Sequence, residues 1–170
     1  HDFSLYKQNT LFRRIERRMS IHQIGNIATY VRYLQENDQE ITLLFKVLLI
    51  GVTNFFRDKP VWELLRTKTI PALIKRSPTQ RVLRAWVAGC SSGEEAYSLA
   101  IVFKEALEHA KIFNVTLQIF ATDLDQDAID KARLGFFPSN IAADVSATRL
   151  KRFFSEMKDG YRIRKEIRQM

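Results

Sequence analysis

Ala88-Gly89-Cys90-Ser91-Ser92-Gly93-Glu94-Glu95-Ala96-Tyr97-Ser98 decides how this chain is read. It is a run of small residues between two unlike patterns. Before it, Val82 to Ala88 is a short, mostly apolar run of the kind found in buried parallel strands. After it, a helix is predicted from about Gly93 to Lys111. The pattern then repeats. Val115 to Ala121 reads as a second strand ending at Thr122-Asp123, and Asp125 to Leu134 as a second helix closed by Gly135. A β-turn-α-β-α unit of this kind predicts an α/β fold whose ligand sits at the carboxyl ends of the strands.

The turn is neither a phosphate loop nor a dinucleotide loop, because G-x-x-x-x-G-K-[ST] and G-x-G-x-x-G are both absent. Its small residues let the backbone turn sharply and approach a ligand closely at Gly89. Glu94 and Glu95 at the helix start would repel a pyrophosphate, but they suit a nucleoside carrying a sulfonium and an ammonium. S-adenosylmethionine is such a molecule. Asp123 ends the second strand, where a carboxylate can accept hydrogen bonds from both ribose hydroxyls. Plainer accounts stand beside these. Acids in a first helical turn complement the helix dipole, and an Asp after a strand is commonly a turn or cap residue.

Upstream the pattern is helical. Leu5, Phe12, Ile15 and Met19 follow helical spacing between Phe3 and Met19, with Arg14, Arg17 and Arg18 largely off that stripe, which predicts a basic outer face. Ile24, Ile27, Ala28, Val31 and Leu34 mark a second helix, and Ile41, Leu44, Phe45, Leu48 and Leu49 a third. Residues 1–50 therefore read as a small helical bundle. Residues 51–80 read as a linker. It holds Thr53-Asn54-Phe55-Phe56-Arg57-Asp58, a helix from Val61 to Lys68 with Asp58 as N-cap and Pro60 in its first turn, and a connection from Thr69 to Gln80 containing Pro71 and Pro78. Residues 81–170 carry the βα unit, then a helix from Ser146 to Glu156 and a hairpin around Asp159-Gly160 with Tyr161 to Arg164 as one arm. Two strands and a fragment are too few for a complete open sheet, so a larger domain cut at Met170, with an unpaired strand edge, is expected.

Composition sets the bounds. At 46% hydrophobic and 27% charged the 170 residues are neither disordered nor fibrous, and six Gly with four Pro favour helices over a many-turned sandwich. Cys90 has no partner for an internal disulfide, and His1, His22 and His109 form no metal-ligand spacing, so a reducing cytoplasm and no metal are expected. The apolar stretch from Ile41 to Val52 is broken by Lys46 and is too short to cross a bilayer, and the start shows no cleavable leader. The net charge of +8 asks for an acidic partner, and residues 1–80 hold most of it, with 13 basic against 7 acidic side chains. No recognised nucleic-acid-binding motif accompanies that charge.

Taken in order, Thr53 to Asp58, Ala88 to Ser98 and Ala121-Thr122-Asp123-Leu124-Asp125 resemble three motifs of the chemotaxis receptor glutamate O-methyltransferases, the CheR family. Arg13-Arg14-Ile15-Glu16-Arg17-Arg18-Met19 is similar to the basic helix of that family's N-terminal domain. The resemblance implies an all-α bundle followed by the first half of a Rossmann-like S-adenosylmethionine methyltransferase sheet. It implies methyl transfer to glutamate side chains of chemoreceptors, with S-adenosylhomocysteine as the other product. By position, Arg57 would act in methyl transfer, and Thr53, Gly89, Glu94, Glu95 and Asp123 would bind the cofactor. Arg14, Arg17 and Arg18 would meet acidic receptor helices, so that the membrane is approached only through receptors. The chain departs from the family pattern in ending before the later strands, the Asn-containing segments over the adenine and any receptor-tethering insertion. A multidomain fusion, and weak or absent activity of these residues alone, are therefore expected. The alternatives are a non-catalytic cofactor-sensing or interaction module and a methyltransferase for another carboxylate.

Overall fold

A computed structural model of the chain describes residues 2–49, 51–76, 82–112 and 114–170. The chain divides into two compact units, residues 1–50 and 51–170.

The first unit is built from α1 (Gln8–Ile21), α2 (Ile27–Gln35) and α3 (Asp38–Leu48), with α3 packed on both of the others. Asparagine side chains start two of these helices. Asn26 Oδ1 accepts from Thr29 N at 2.8 Å, and Asn37 Oδ1 accepts from Glu40 N at 3.1 Å. The centre of the unit is a charge. Glu40 is 2% exposed and takes hydrogen bonds from Tyr30 Oη (2.7 Å) and Arg18 Nε (2.9 Å), with a second Arg18 contact through Nη2. His22 Nε2 lies 2.9 Å from its other oxygen. Hydrogen bonding from Arg18 above all, then from Tyr30 and His22, outweighs burial and holds the Glu40 carboxyl at about 2. Burial, reinforced by the Glu40 charge, pushes the Tyr30 phenol up to about 12.

This corrects the expected basic outer face of the first helix. Arg18 turns inward to Glu40, and Arg14 donates to the carbonyl of Val47. Arg17 alone of the three is exposed, together with Arg13, and Phe12 from the expected apolar stripe stands 59% exposed. The inward face is Leu11, Arg14, Ile15, Arg18 and Met19, an equally good helical spacing that hydrophobicity could not select. The helix also begins later than the apolar spacing suggested, after a turn in which Tyr6 N donates to Phe3 O.

In the second unit, α4 (Lys59–Leu64) runs through a π-helical turn (Leu65–Thr69) into α5 (Ile70–Arg76). The expected connection from Thr69 is thus helical as far as Arg76, and Pro78 lies outside the described residues. Pro71 has no N–H to give an i→i−4 bond, and the widened turn just before it is how a helix absorbs that loss. The segment 51–76, expected as a linker, gives Phe55, Phe56, Ile70 and Ile74 to the core of this unit.

Next come β1 (Val82–Ala88), α6 (Glu94–His109), β2 (Thr116–Thr122) and α7 (Gln126–Leu134). β1 and β2 are parallel, with Val82 opposite Thr116 and Ala88 opposite Thr122. The predicted βα unit is therefore present. Its strands are buried on one face only, however. Leu117 and Val87 point into the core, while Trp86 is 72% exposed on the other face, where Arg84 Nε donates to Gln118 Oε1 (3.3 Å) and Trp86 Nε1 to Thr122 Oγ1 (3.0 Å). On the far edge of β2, Ile119 N donates to the carbonyl of Met170 at 2.8 Å, so that edge is partly taken.

The remainder holds β3 (Phe136–Pro138), a 3-10 turn (Ser139–Ala143), α8 (Ala147–Phe153), β4 (Phe154–Met157), β5 (Gly160–Ile163) and α9 (Lys165–Arg168). The expected helix from Ser146 starts on its cap, Ser146 Oγ accepting from Arg149 N, but ends at Phe153. Residues 154–157 instead form the first arm of the predicted hairpin. β5 lies between β3 and β4 in a three-stranded antiparallel sheet, and the edge strand β3 was not foreseen. Gly160 cannot carry a side chain here, because a Cβ would stand 2.1 Å from the Phe137 carbonyl oxygen.

Removing the buried carboxylate by Glu40→Ala is expected to destabilise the N-terminal unit by about 3–5 kcal/mol, since Arg18 loses its counter-charge inside the bundle. Because the folded carboxyl lies below its ordinary range, its stabilisation is complete above about pH 5 and drains away as pH falls toward 2. Urea titrations at pH 7 and pH 3 check both. The cost of the substitution should shrink at the lower pH.

Candidate functional site

The site is built where β1 and β2 end side by side. Cys90 N donates to Thr122 O (3.0 Å), extending the strand pairing into the turn. Asp123 then closes it, with Oδ2 accepting from Ser91 N (2.7 Å) and Oδ1 from Asp125 N (2.8 Å). Asp125 caps α7 through Asp127 N and Ala128 N. Each Asp123 oxygen keeps a further lone pair, and the side chain is only partly buried, so it can still accept from a ligand.

Gly89 and Gly93 serve different ends. Gly89, at φ +69°, is exposed and has nothing within 4 Å of where a Cβ would stand, an open seat above the strand ends. Gly93, at φ +96°, is buried, and a Cβ there would lie 2.9 Å from the Ala132 Cβ and 3.2 Å from the Tyr97 ring. It allows α6 and α7 to approach closely. Tyr97 fastens the same contact by donating to the carbonyl of Ala132 at 2.7 Å.

The acids of this turn differ in commitment: Asp123 bonds Ser91 N and Asp125 N, while Glu94 and Glu95 open α6. Glu94 is partly buried and held by the Ser92 hydroxyl, which donates to its two oxygens at 3.0 and 2.8 Å. Glu95 is exposed and makes no side-chain hydrogen bond among the described residues. Cys90 is buried, and burial together with the nearby Asp123 charge pushes its thiol up, away from nucleophilic use.

The loop Gly51 to Asp58 reaches the same place. A Cβ on Gly51 would stand 3.2 Å from Ser91 Oγ, so the loop begins against the glycine turn. It is pinned to α6 by Ser98, fully buried, whose hydroxyl donates to Glu94 O (2.7 Å) and accepts from Phe56 N (3.0 Å). Phe55 packs edge-on against Phe137 and Phe154 at 4.8 and 5.4 Å between ring centres. With both aromatics buried, Arg57 is left exposed, its Nη1 3.3 Å from Val52 O, and Thr53 is half-buried. Among the described residues no hydrogen bond or ion pair joins Arg57 to Glu94, Glu95 or Asp123. Asp58 stands at the N-cap position of α4 but caps it by its carbonyl, which accepts from Val61 N at 2.8 Å, while its side chain makes no capping bond.

Sequence reading grouped Gly89, Glu94, Glu95 and Asp123, and the fold brings those four to one turn. It missed Ser98, although a serine one helical turn after a helix start is the spacing from which a hydroxyl reaches back to the i−4 carbonyl. Arg14, Arg17 and Arg18 lie in the other unit.

Ser98→Ala is expected to cost about 1–3 kcal/mol, because the buried Phe56 N–H loses its acceptor. Gly93→Ala should cost at least about 1–3 kcal/mol, through overpacking against Ala132 and through the strain of a side chain at φ +96°. Ala132→Gly in the Gly93→Ala background should recover part of it. Thermal unfolding of the three variants checks both.

Comparison with known proteins bears on this site. Residues 51–170 match the family described as "CheR methyltransferase, SAM binding domain", and residues 1–49 match "CheR methyltransferase, all-alpha domain". Among relatives, "Chemotaxis protein methyltransferase 2" of Pseudomonas aeruginosa is 33% identical over 148 residues, covering 87% of this chain and 50% of that protein. "Chemotaxis protein methyltransferase 2" of Vibrio cholerae is 32% identical over 162 residues, covering 94% of this chain and 54% of that protein. An "Uncharacterized 104.1 kDa protein in hypE 3'region" of Rhodobacter capsulatus is 44% identical over 168 residues, which are 99% of this chain and 18% of that protein. The chain thus spans about half the length of the chemotaxis relatives it matches. With both of its units matched in order, the chain belongs to the CheR methyltransferase family.

Proposed function

We propose that this chain provides the receptor-recognition unit and the cofactor-binding turn of a cytoplasmic protein-glutamate O-methyltransferase. Methyl would pass from S-adenosylmethionine to glutamate side chains of chemoreceptors, leaving glutamate methyl esters and S-adenosylhomocysteine. The observation that carries this is the exposed Gly89 turn at the ends of two parallel strands, with Asp123 bonded to it at Ser91 N and Glu94 and Glu95 in the first turn of the helix that follows. That donor set fits an adenosyl sulfonium. It offers carboxylates to cationic and hydroxyl groups and no cation to a phosphate.

When bound, the cofactor supplies an electrophilic methyl group on a positively charged sulfur. Asp123 would hold the ribose through its remaining lone pairs. Glu95, uncommitted and exposed, would meet the ammonium end, with Glu94 behind it as a second negative charge. Thr53 would line the site from the Gly51 to Asp58 loop. The incoming receptor carboxylate is ionised near neutral pH and needs no general base. What remains for the chain is alignment and exclusion of water, worth about 7–11 kcal/mol of barrier in well-oriented cases. Arg57 suits that task, since an exposed guanidinium can orient a carboxylate by charge-assisted hydrogen bonds.

Recognition of acidic receptor helices falls to α1. Because Arg14 and Arg18 are bonded within their own unit, Arg17 and the neighbouring Arg13 are the guanidiniums that α1 offers outward. Arg14 and Arg18 would act by fixing α1 in place.

In the full-length protein, base-labile methyl label on a receptor fragment measures ester formation, and calorimetry with S-adenosylhomocysteine measures cofactor binding. Arg57→Ala is expected to lower turnover about 10²-fold, the order of loss that follows from a misplaced reactant, with a smaller effect on cofactor affinity. Unchanged turnover and unchanged affinity together would remove Arg57 from the mechanism. Cofactor binding without ester formation on any receptor fragment would favour a sensing module instead.

A further inference from the structure

A second concave feature lies beside the Arg57 loop, in the same unit. It is a cleft of about 420 Å³ between the first turns of α4 and the segment leading into α8. Its floor includes the Phe56 and Trp62 rings, 6.1 Å apart and nearly perpendicular, with Ala142, Ala143 and Val145 opposite.

The charged groups that line it are almost all committed. Arg149 grips Glu105 through Nε (2.8 Å) and Nη2 (2.7 Å), and its guanidinium lies 4.0 Å over the Phe56 ring. Glu63 is paired with Arg66. Asp144 accepts from Asn54 Nδ2 at 3.2 Å. Lys59 is the exception: exposed, it makes no side-chain hydrogen bond or ion pair among the described residues. The one uncommitted charge at this cleft is therefore positive.

Lys59 stands two residues after Arg57, across Asp58 at φ +59°. Residues two apart are separated by at most about 7 Å between Cα atoms, and one turn of an α-helix advances about 5.4 Å. Both side chains are exposed, so one helix bearing two carboxylates a turn apart is within reach of both cations. We propose that Lys59 is a specificity-determining residue that binds a second acidic side chain, three or four residues from the methyl-accepting glutamate of the substrate helix. This rests on the reading of Arg57 given above and adds a rule for choosing among glutamates.

The test uses the full-length protein and synthetic helical peptides with one acceptor Glu and either Glu or Gln at the positions three and four residues to each side. Peptide affinity by fluorescence anisotropy and kcat/KM for methylation are measured in parallel. The peptide with the second acid is expected to be favoured about fivefold in both, the upper range for an exposed ion pair, with the difference falling in KM. Lys59→Gln should collapse that ratio toward one, Lys59→Arg should keep it, and Lys59→Glu should invert it in favour of a peptide carrying Lys there. A ratio of one in the unmutated protein, or a ratio that survives Lys59→Gln, overturns the proposal. Selective binding that depends on Lys59 without methylation of any peptide would keep Lys59 as the residue that binds the second acid and sink the methyltransferase reading instead.

Discussion

Parallel pairing of β1 with β2 is the constraint from which the rest of the second unit follows. It places Ala88 opposite Thr122, so the glycine turn and the Asp123 loop come together although 34 positions separate them in the chain. Parallel strands cannot be joined by a tight turn, and α6 is the crossover that joins these two. Once the strand ends are level, Asp123 can bond Ser91 N and Asp125 N together, and one carboxylate fixes the entry to both helices. The Gly51 to Asp58 loop is recruited by the same assembly, because its anchor, Ser98, is on the first turns of α6. Three separated stretches of sequence thereby become one surface.

How far this was legible depended on whether the signal was local. The strands, the helix that opens at Asp125 and the Gly135 stop follow from short-range chemistry, and all of them appear within one residue of where the sequence places them. Pro71 misled, because proline breaks an α-helical bond but a π-helical turn can pass it. β3 was hidden by its brevity. Three residues, Phe136 to Pro138, hold no periodicity to detect, and they become a strand only through pairing with β5. The four residues grouped at the glycine turn were readable because their types are unusual together. Ser98 was not, since a serine inside a helix carries no mark of what its oxygen accepts.

The first unit shows a different failure. Apolar spacing put Phe12 inside and Arg18 outside, whereas Arg18 is turned inward and Phe12 outward. What reverses them is Glu40, an acid on another helix that no single-helix pattern can see. A carboxylate 2% exposed must be paired, and Arg18, His22 and Tyr30 are the groups that do so. Part of the chain's basic excess is thus consumed in folding, and the charge left to α1 for an acidic partner is smaller than the count of arginines suggests.

The backbone shows where the second unit departs from easy geometry. Among the described residues, Gln23 and Lys111 have positive φ just past the ends of α1 and α6, an ordinary way for helices to stop. Phe56 (+51°), Asp58 (+59°) and Ser91 (+48°) have no such excuse. They lie on the two loops of the candidate site, and such conformations persist only where surrounding contacts over-determine them. Phe56 is held by its buried ring and by Ser98, and Ser91 by Asp123. Turning the chain sharply on both sides of Arg57 is what buries Phe55 and Phe56 while leaving the guanidinium outside.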